Sequence, residues 1–205
     1  MNFKILIGIL LFNISNNIGR KCFKSSSKNR EKYILYSKLL ENLYIPGLHC
    51  YIVNLNILYY LIFQHQQSLE MAYIISTSYY SYDLIRIINN YNYNMFDNVF
   101  LLHHILTLGL LQYNLSFYGS YYYIVGELSN IFYFPVYYCI KMKITGNIKK
   151  ILSMIQFISY VFCRIFIISY VFYLSCLVDP TLNIIIGSPI YIMGFVWSYN
   201  LYLKL

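Results

Sequence analysis

Apolar residues gather along this chain into long blocks parted by short polar stretches. The blocks fall at roughly 46–64, 71–90, 99–118, 120–140, 151–176 and 183–203. Each approaches the ~20 residues that an α-helix needs to cross a hydrocarbon core of about 30 Å. In such a solvent a helix satisfies its own backbone hydrogen bonds, so an all-α, polytopic transmembrane bundle is the expectation. Six spans follow directly. Residues 3–18 (FKILIGILLFNISNNI), with Lys4 in front, would supply a seventh, or else a signal peptide or signal anchor.

Composition agrees with that pattern. Of 205 residues, 59% are hydrophobic and only 11% charged, with mean hydropathy +0.53, well outside the soluble range. No room remains for a sizeable soluble domain. The 26 tyrosines accompany abundant Ile, Asn and Lys and reflect an AT-rich genome, so individual tyrosines say little about function. Cys22, Cys50, Cys139, Cys163 and Cys176 are odd in number and lack CxxC spacing, which suggests neither a disulfide framework nor a zinc knuckle.

The formal charge of +8 is concentrated in two stretches between apolar blocks, which argues for membrane orientation rather than nucleic-acid binding. Residues 19–38 read as a solvated loop with Arg20, Lys21, Lys24, Lys28, Arg30, Lys32 and Lys38. Residues 141–150 (KMKITGNIKK) carry four more lysines. The opposite connections, 65–70 and 177–182, carry none and hold Glu70 and Asp179. If every block crosses, both basic loops and Lys204 fall in the cytosol. The chain then divides into an N-terminal part, 1–32, and a transmembrane domain, 33–205.

Ionisable groups inside a bilayer cost roughly 2.5–3.5 kcal/mol on insertion scales and normally face partners within the bundle. His49, Asp83, Arg86, His103, His104, Glu127 and Arg164 are such groups. At a rise of about 1.5 Å per residue, His49, Asp83, His103 and His104 share the cytosolic leaflet, whereas Glu127 and Arg164 lie nearer mid-depth and could neutralise each other. Asp97, at the cytosolic mouth, is seven residues before His104 and within about 20° of its helix face. Asp97 or Asp83 could orient an imidazole as a carboxylate orients a catalytic base. Arg86 could pair with Asp83 three residues earlier. Adjacent histidines lack the i, i+4 spacing of a helical metal site, so no metal ligand is assigned.

These residues, in order, resemble the TLC domain shared by ceramide synthases, translocating-chain-associated membrane proteins and small lipid-homeostasis proteins. The resemblance spans about 33–203 and is carried by IPGLHC (His49), SYYSYDLI (Asp83), DNVFLLHHILT (Asp97, His103, His104), GELSNIFYFP (Glu127) and FCRIF (Arg164). It implies residence in the endoplasmic reticulum, membrane lipids as partners, and acyl-CoA as co-substrate with no bound cofactor. A homo-oligomer is left open.

In the synthases the paired histidines are regarded as catalytic, so the resemblance implies that role for His103 and His104, assisted by Asp97 or Asp83. His49, Glu127 and Arg164 become candidate substrate-binding residues. One imidazole would serve as base toward a sphingoid amine or lysophospholipid hydroxyl, or take up the acyl group transiently. Where the synthase pattern continues to HDxxD, this chain has GELSN, closer to the small lipid-homeostasis proteins. The alternative is a non-enzymatic lipid-binding, cargo-receptor or translocation-accessory protein.

Overall fold

A computed structural model describes residues 3–26, 30–90, 95–112, 117–178 and 180–203. Among them the regular structure is entirely helical. The helices are α1 (Phe3–Ser26), α2 (Arg30–Leu39), α3 (Ile45–Phe63), α4 (Gln66–Asn89), α5 (Met95–Gln112), α6 (Phe117–Leu128), α7 (Tyr133–Lys141), α8 (Asn147–Val161), α9 (Ile168–Val178), α10 (Pro180–Leu182) and α11 (Ser188–Tyr202). Wider π-helical turns at Leu40–Tyr44, Phe162–Ile167 and Asn183–Gly187 bridge α2 to α3, α8 to α9 and α10 to α11. Two continuous rods result that are long and apolar enough to cross a membrane, Ile34–Phe63 with 30 residues and Asn147–Val178 with 32.

The chain forms two compact units, Met1–Tyr93 and Asn94–Leu205. In the first, α4 packs against both α1 and α3. The reversal between α3 and α4 needs only Gln64 and His65, because Gln64 adopts the left-handed conformation (φ 55°) and returns its N–H to the Tyr60 carbonyl at 2.7 Å. In the second unit α6 packs on α9 and on the π-turn before it, α11 packs on the same turn, and α7 lies along α8. Its apolar core joins Tyr122 and Val125 of α6 to Ile168 and Val171 of α9.

The basic stretches are more ordered than their composition suggests. Helix α1 runs through Arg20, Lys21 and Lys24, and α2 begins at Arg30, so most of 19–38 is helical rather than loop. Lys and Arg are good helix formers, and Lys24 in the last turn of α1 lies at the negative end of its dipole. In 141–150 the irregular part shrinks to Met142–Gly146, and α8 takes up Lys149 and Lys150. The block at 120–140 is divided between α6 and α7 by turns at Ser129–Phe132. Asp179 and Lys204 lie outside the described residues.

Polarity is arranged inside out relative to a water-soluble protein. Along α8 and α9 the buried positions are Gln156, Tyr160, Arg164, Ile168, Val171 and Ser175, while Ile151, Ile158, Phe166, Tyr170, Tyr173 and Leu177 are all more than half exposed. Helix α3 buries His49, Cys50 and Asn54 and exposes Leu48, Leu55 and Ile62. Continuous apolar faces of this extent would aggregate in water. Against lipid they are the correct exterior, and the polar groups find partners between helices. This is a membrane protein.

Candidate functional site

In the first unit the histidine of IPGLHC lies on α3 against α4. His49 is buried, its Nε2 is 3.0 Å from the Ser76 hydroxyl, and its ring stacks on Tyr79 at 4.1 Å between centroids. Tyr80 closes the other side edge-on at 5.5 Å. Ser76, Tyr79 and Tyr80 span one turn of α4, so a single helical face supplies both the hydrogen-bonding group and the aromatic wall.

Asp83 lies one turn beyond Tyr79 on the same helix and is also buried. Arg86 Nε donates to its Oδ1 at 2.6 Å, the i, i+3 pairing that the sequence allows. The pair continues outward. Arg86 Nη1 is 3.7 Å from Glu41 Oε2, and the other Glu41 oxygen accepts from Arg20 Nη2. Arg20 on α1, Glu41 in the first π-turn and Arg86 and Asp83 on α4 therefore form a chain of alternating charge that ties three elements together. Glu41 was not singled out from the sequence, although it lies only three residues beyond the basic stretch 19–38.

In the second unit His103 and His104 stand on α5. His104 is 4% exposed, and its Nδ1 lies 2.8 Å from the Phe100 carbonyl one turn earlier. A carbonyl can only accept, so Nδ1 is the donor here, and Nε2 is the ring nitrogen left to act as a base. His103 meets the edge of His104 at 5.5 Å and that of Trp197 on α11 at 5.1 Å. Asp97 belongs to α5, but its side chain lies outside the described residues. The group seen to orient His104 is thus a backbone carbonyl of its own helix.

Arg164 occupies the second π-turn and is 6% exposed. Its Nε donates to Ser129 Oγ at 2.8 Å, its Nη2 to the Gly126 carbonyl at 3.1 Å, and its guanidinium covers the Tyr160 ring at 5.4 Å. The expectation that Glu127 would be its partner meets a different arrangement, since the bonds go to residues on either side of Glu127. Glu127 itself is buried in α6. Gly194 on α11 allows the close approach, a Cβ there being 3.4 Å from Arg164 Cβ. Because Gly194 and Trp197 are three residues apart, Arg164 and His103 contact neighbouring turns of one helix, about 4.5 Å apart along its axis.

His49 and Asp83 belong to the first unit, whereas His103, His104, Glu127 and Arg164 belong to the second. Among the described residues no three His, Cys, Asp or Glu side chains converge as a metal site would require.

The polar residues in α3 to α9 and the length over which they recur can be set against known families. The TLC domain matches residues 33–203. The chain belongs to the TLC-domain family. No curated protein and no solved structure matches it significantly. TLC-domain membership carries a membrane-lipid-related function. The match begins in α2 and ends in the last turn of α11, so it takes in both units and every candidate residue. Ser129, Trp197 and Glu41, which the sequence reading passed over, also fall inside it.

Proposed function

We propose that this TLC-domain protein is a multi-pass protein of the endoplasmic reticulum, with six or seven crossings and its basic segments in the cytosol, that transfers an acyl group from acyl-CoA to a membrane lipid. The observation that carries this reading is the contact between His104 Nδ1 and the Phe100 carbonyl. Its Nδ1 proton is committed to the Phe100 carbonyl, which leaves Nε2 as the basic atom.

His104 Nε2 would remove the proton from an acceptor hydroxyl or amine as that oxygen or nitrogen attacks the thioester carbonyl. Collapse of the tetrahedral intermediate breaks the carbon–sulfur bond, and the departing thiolate takes the proton back from the imidazolium. His103, set between His104 and Trp197, would hold the second imidazole beside the reacting carbonyl. The acceptor is a sphingoid base or a lysophospholipid.

A second reading is favoured by a separate observation. His49 and Arg164 are held by Ser76, Ser129 and the Gly126 carbonyl, as expected of a lipid-binding bundle whose polar groups fix helix packing rather than catalyse. The two readings part in one experiment. Cells lacking the protein are rescued with wild type or with His103→Ala plus His104→Ala at equal abundance, and their lipids are profiled. Restoration of one acyl-lipid class by wild type alone, with synthesis of that lipid by purified protein from acyl-CoA, supports acyl transfer. Equal rescue by the double variant rejects it.

A further inference from the structure

Arg164 presents a problem of charge. It sits at the eighteenth position of the 32-residue rod Asn147–Val178, far from either end, and is 6% exposed. Both described hydrogen bonds go to neutral groups, Ser129 Oγ and the Gly126 carbonyl. Among the described residues no carboxylate comes within ion-pairing distance of its guanidinium. A buried cation without a counter-charge is costly at such a site, and hydrogen bonds to neutral acceptors offset that cost only in part.

A second group at the same place is also unfulfilled. Tyr160, one turn earlier on the same face, is 5% exposed, and its ring lies under the guanidinium. Its hydroxyl makes no hydrogen bond to any described residue. Buried tyrosine hydroxyls normally find an acceptor. The Arg164 guanidinium and a phenol with an uncommitted O–H are both donors. A ligand that answers both must carry acceptor oxygens and negative charge.

We infer that Arg164 and Tyr160 form a binding site for an oxyanion carried on an apolar chain, either a fatty carboxylate or the phosphate of an anionic lipid. The setting fits such an amphiphile. Gly126 presents no side chain to the guanidinium, and Gly194 presents none to the base of the arginine side chain. The adjoining cluster of Tyr122, Val125, Ile168 and Val171 with Leu110 and Phe172 supplies apolar surface next to the charge. The π-turn that presents Arg164 is a distortion that recurs at ligand sites in helices. The inference rests on the lipid-handling reading of the protein and not on acyl transfer, since binding here requires neither histidine of α5.

The test uses the full chain in neutral nanodiscs, without acyl-CoA, and three probes that share an oleyl or oleoyl chain: oleate, oleoyl lysophosphatidic acid and oleyl alcohol. Tyr160→Phe keeps the ring beneath Arg164 and removes only the hydroxyl; Arg164→Gln removes the charge. Wild type is expected to bind one or both anions at least ten-fold more tightly than the alcohol. Tyr160→Phe should weaken the anion by about ten-fold or more, the usual worth of a hydrogen bond to a charged group, and leave the alcohol unaffected.

Preference for oleate identifies a fatty carboxylate, and preference for the lysophosphatidate identifies a lipid phosphate. Should Arg164→Gln fail to fold, Tyr160→Phe decides alone. Melting temperature provides the control, because loss of an unpartnered hydroxyl should not lower it. Equal affinity of wild type for oleate and oleyl alcohol, or unchanged anion binding by Tyr160→Phe, overturns the inference. Failure of acyl transfer with intact anion selectivity would reject only the catalytic reading.

Discussion

Gly8 gives a direct measure of how tightly the first helix belongs to its unit. Were the glycine an alanine, the added Cβ would stand 2.5 Å from Ser78 Cβ on α4 and closer still to its hydroxyl oxygen. Carbon atoms rest at about 3.5–4.0 Å, so the helices must part by roughly 1 Å. Ser78 cannot relieve the clash by turning outward. It is fully buried, and its hydroxyl donates to the Ile74 carbonyl at 2.6 Å and approaches the Ile5 carbonyl of α1 at 3.3 Å.

Overpacking of this kind costs about 1–3 kcal/mol, which for a chain of this size corresponds to a fall of roughly 2–12 °C in melting temperature. The assay is thermal unfolding of the purified protein in one detergent, with two companion variants. Ser78→Gly in the Gly8→Ala background removes the opposing Cβ and should recover most of the loss. Gly109→Ala supplies the opposite sign, because nothing lies within 4 Å of a Cβ there and alanine is the better helix former by about 0.5–1 kcal/mol. The reasoning is refuted if Gly8→Ala melts at or above the wild-type temperature. That result would mean the bundle holds together without α1 in contact with α4, as a cleaved signal segment would require.

Other expectations follow from the same geometry. Asp83→Asn withdraws the carboxylate from Arg86 Nε and should cost about 2–3 kcal/mol in unfolding measurements, since a buried charge-assisted bond is lost. Glu41→Gln acts nearer the surface on Arg20 and Arg86 and should cost about 1 kcal/mol or less, diminishing further in high salt. Ser129→Ala removes the acceptor of Arg164 Nε, and a double-mutant cycle with Arg164→Gln should reveal a coupling of roughly 1.5–3 kcal/mol. His104→Gln, under the acyl-transfer reading, should reduce turnover by at least about 100-fold while leaving the helical content measured by circular dichroism unchanged.

Some of this was legible in the sequence because it depends on composition over a window. The apolar blocks mark where helices form, and α3, α4 and the α8–α9 rod lie close to the blocks at 46–64, 71–90 and 151–176. The pairing of Asp83 with Arg86 was legible too, because i, i+3 contacts are local. Contacts between helices were not. Glu41 meets Arg20 across twenty-one positions, and Arg164 meets Ser129 across thirty-five. Depth arithmetic placed Glu127 and Arg164 at similar levels but could not choose between a glutamate and the serine two residues later. That choice depends on rotation about the helix axis, which a mean hydropathy does not contain.

Rotation is also where the π-turn at Phe162–Ile167 has its effect. Gln156 and Ser175 are nineteen positions apart, whereas five turns of a regular α-helix take up about 18 residues. A regular helix would therefore turn Ser175 about 100° away from Gln156, the first buried position of the rod's inward face. Both ends of this buried face are nevertheless inside, Ser175 at 1% exposure and Gln156 at 2%, with Tyr122 on α6 reaching the Ser175 hydroxyl at 3.2 Å. The π-turn absorbs the additional residue and restores the register. It does so where Arg164 enters the interior, so the distortion that keeps the polar face continuous is also the one that presents the charge. Deleting Ile165 to regularise the turn leaves Gln156 and Ser175 five regular turns apart, so the Tyr122–Ser175 contact should survive while Arg164 loses its presentation and anion selectivity falls. Loss of the Tyr122–Ser175 contact in that variant would show instead that the π-turn is not what holds Gln156 and Ser175 on one face.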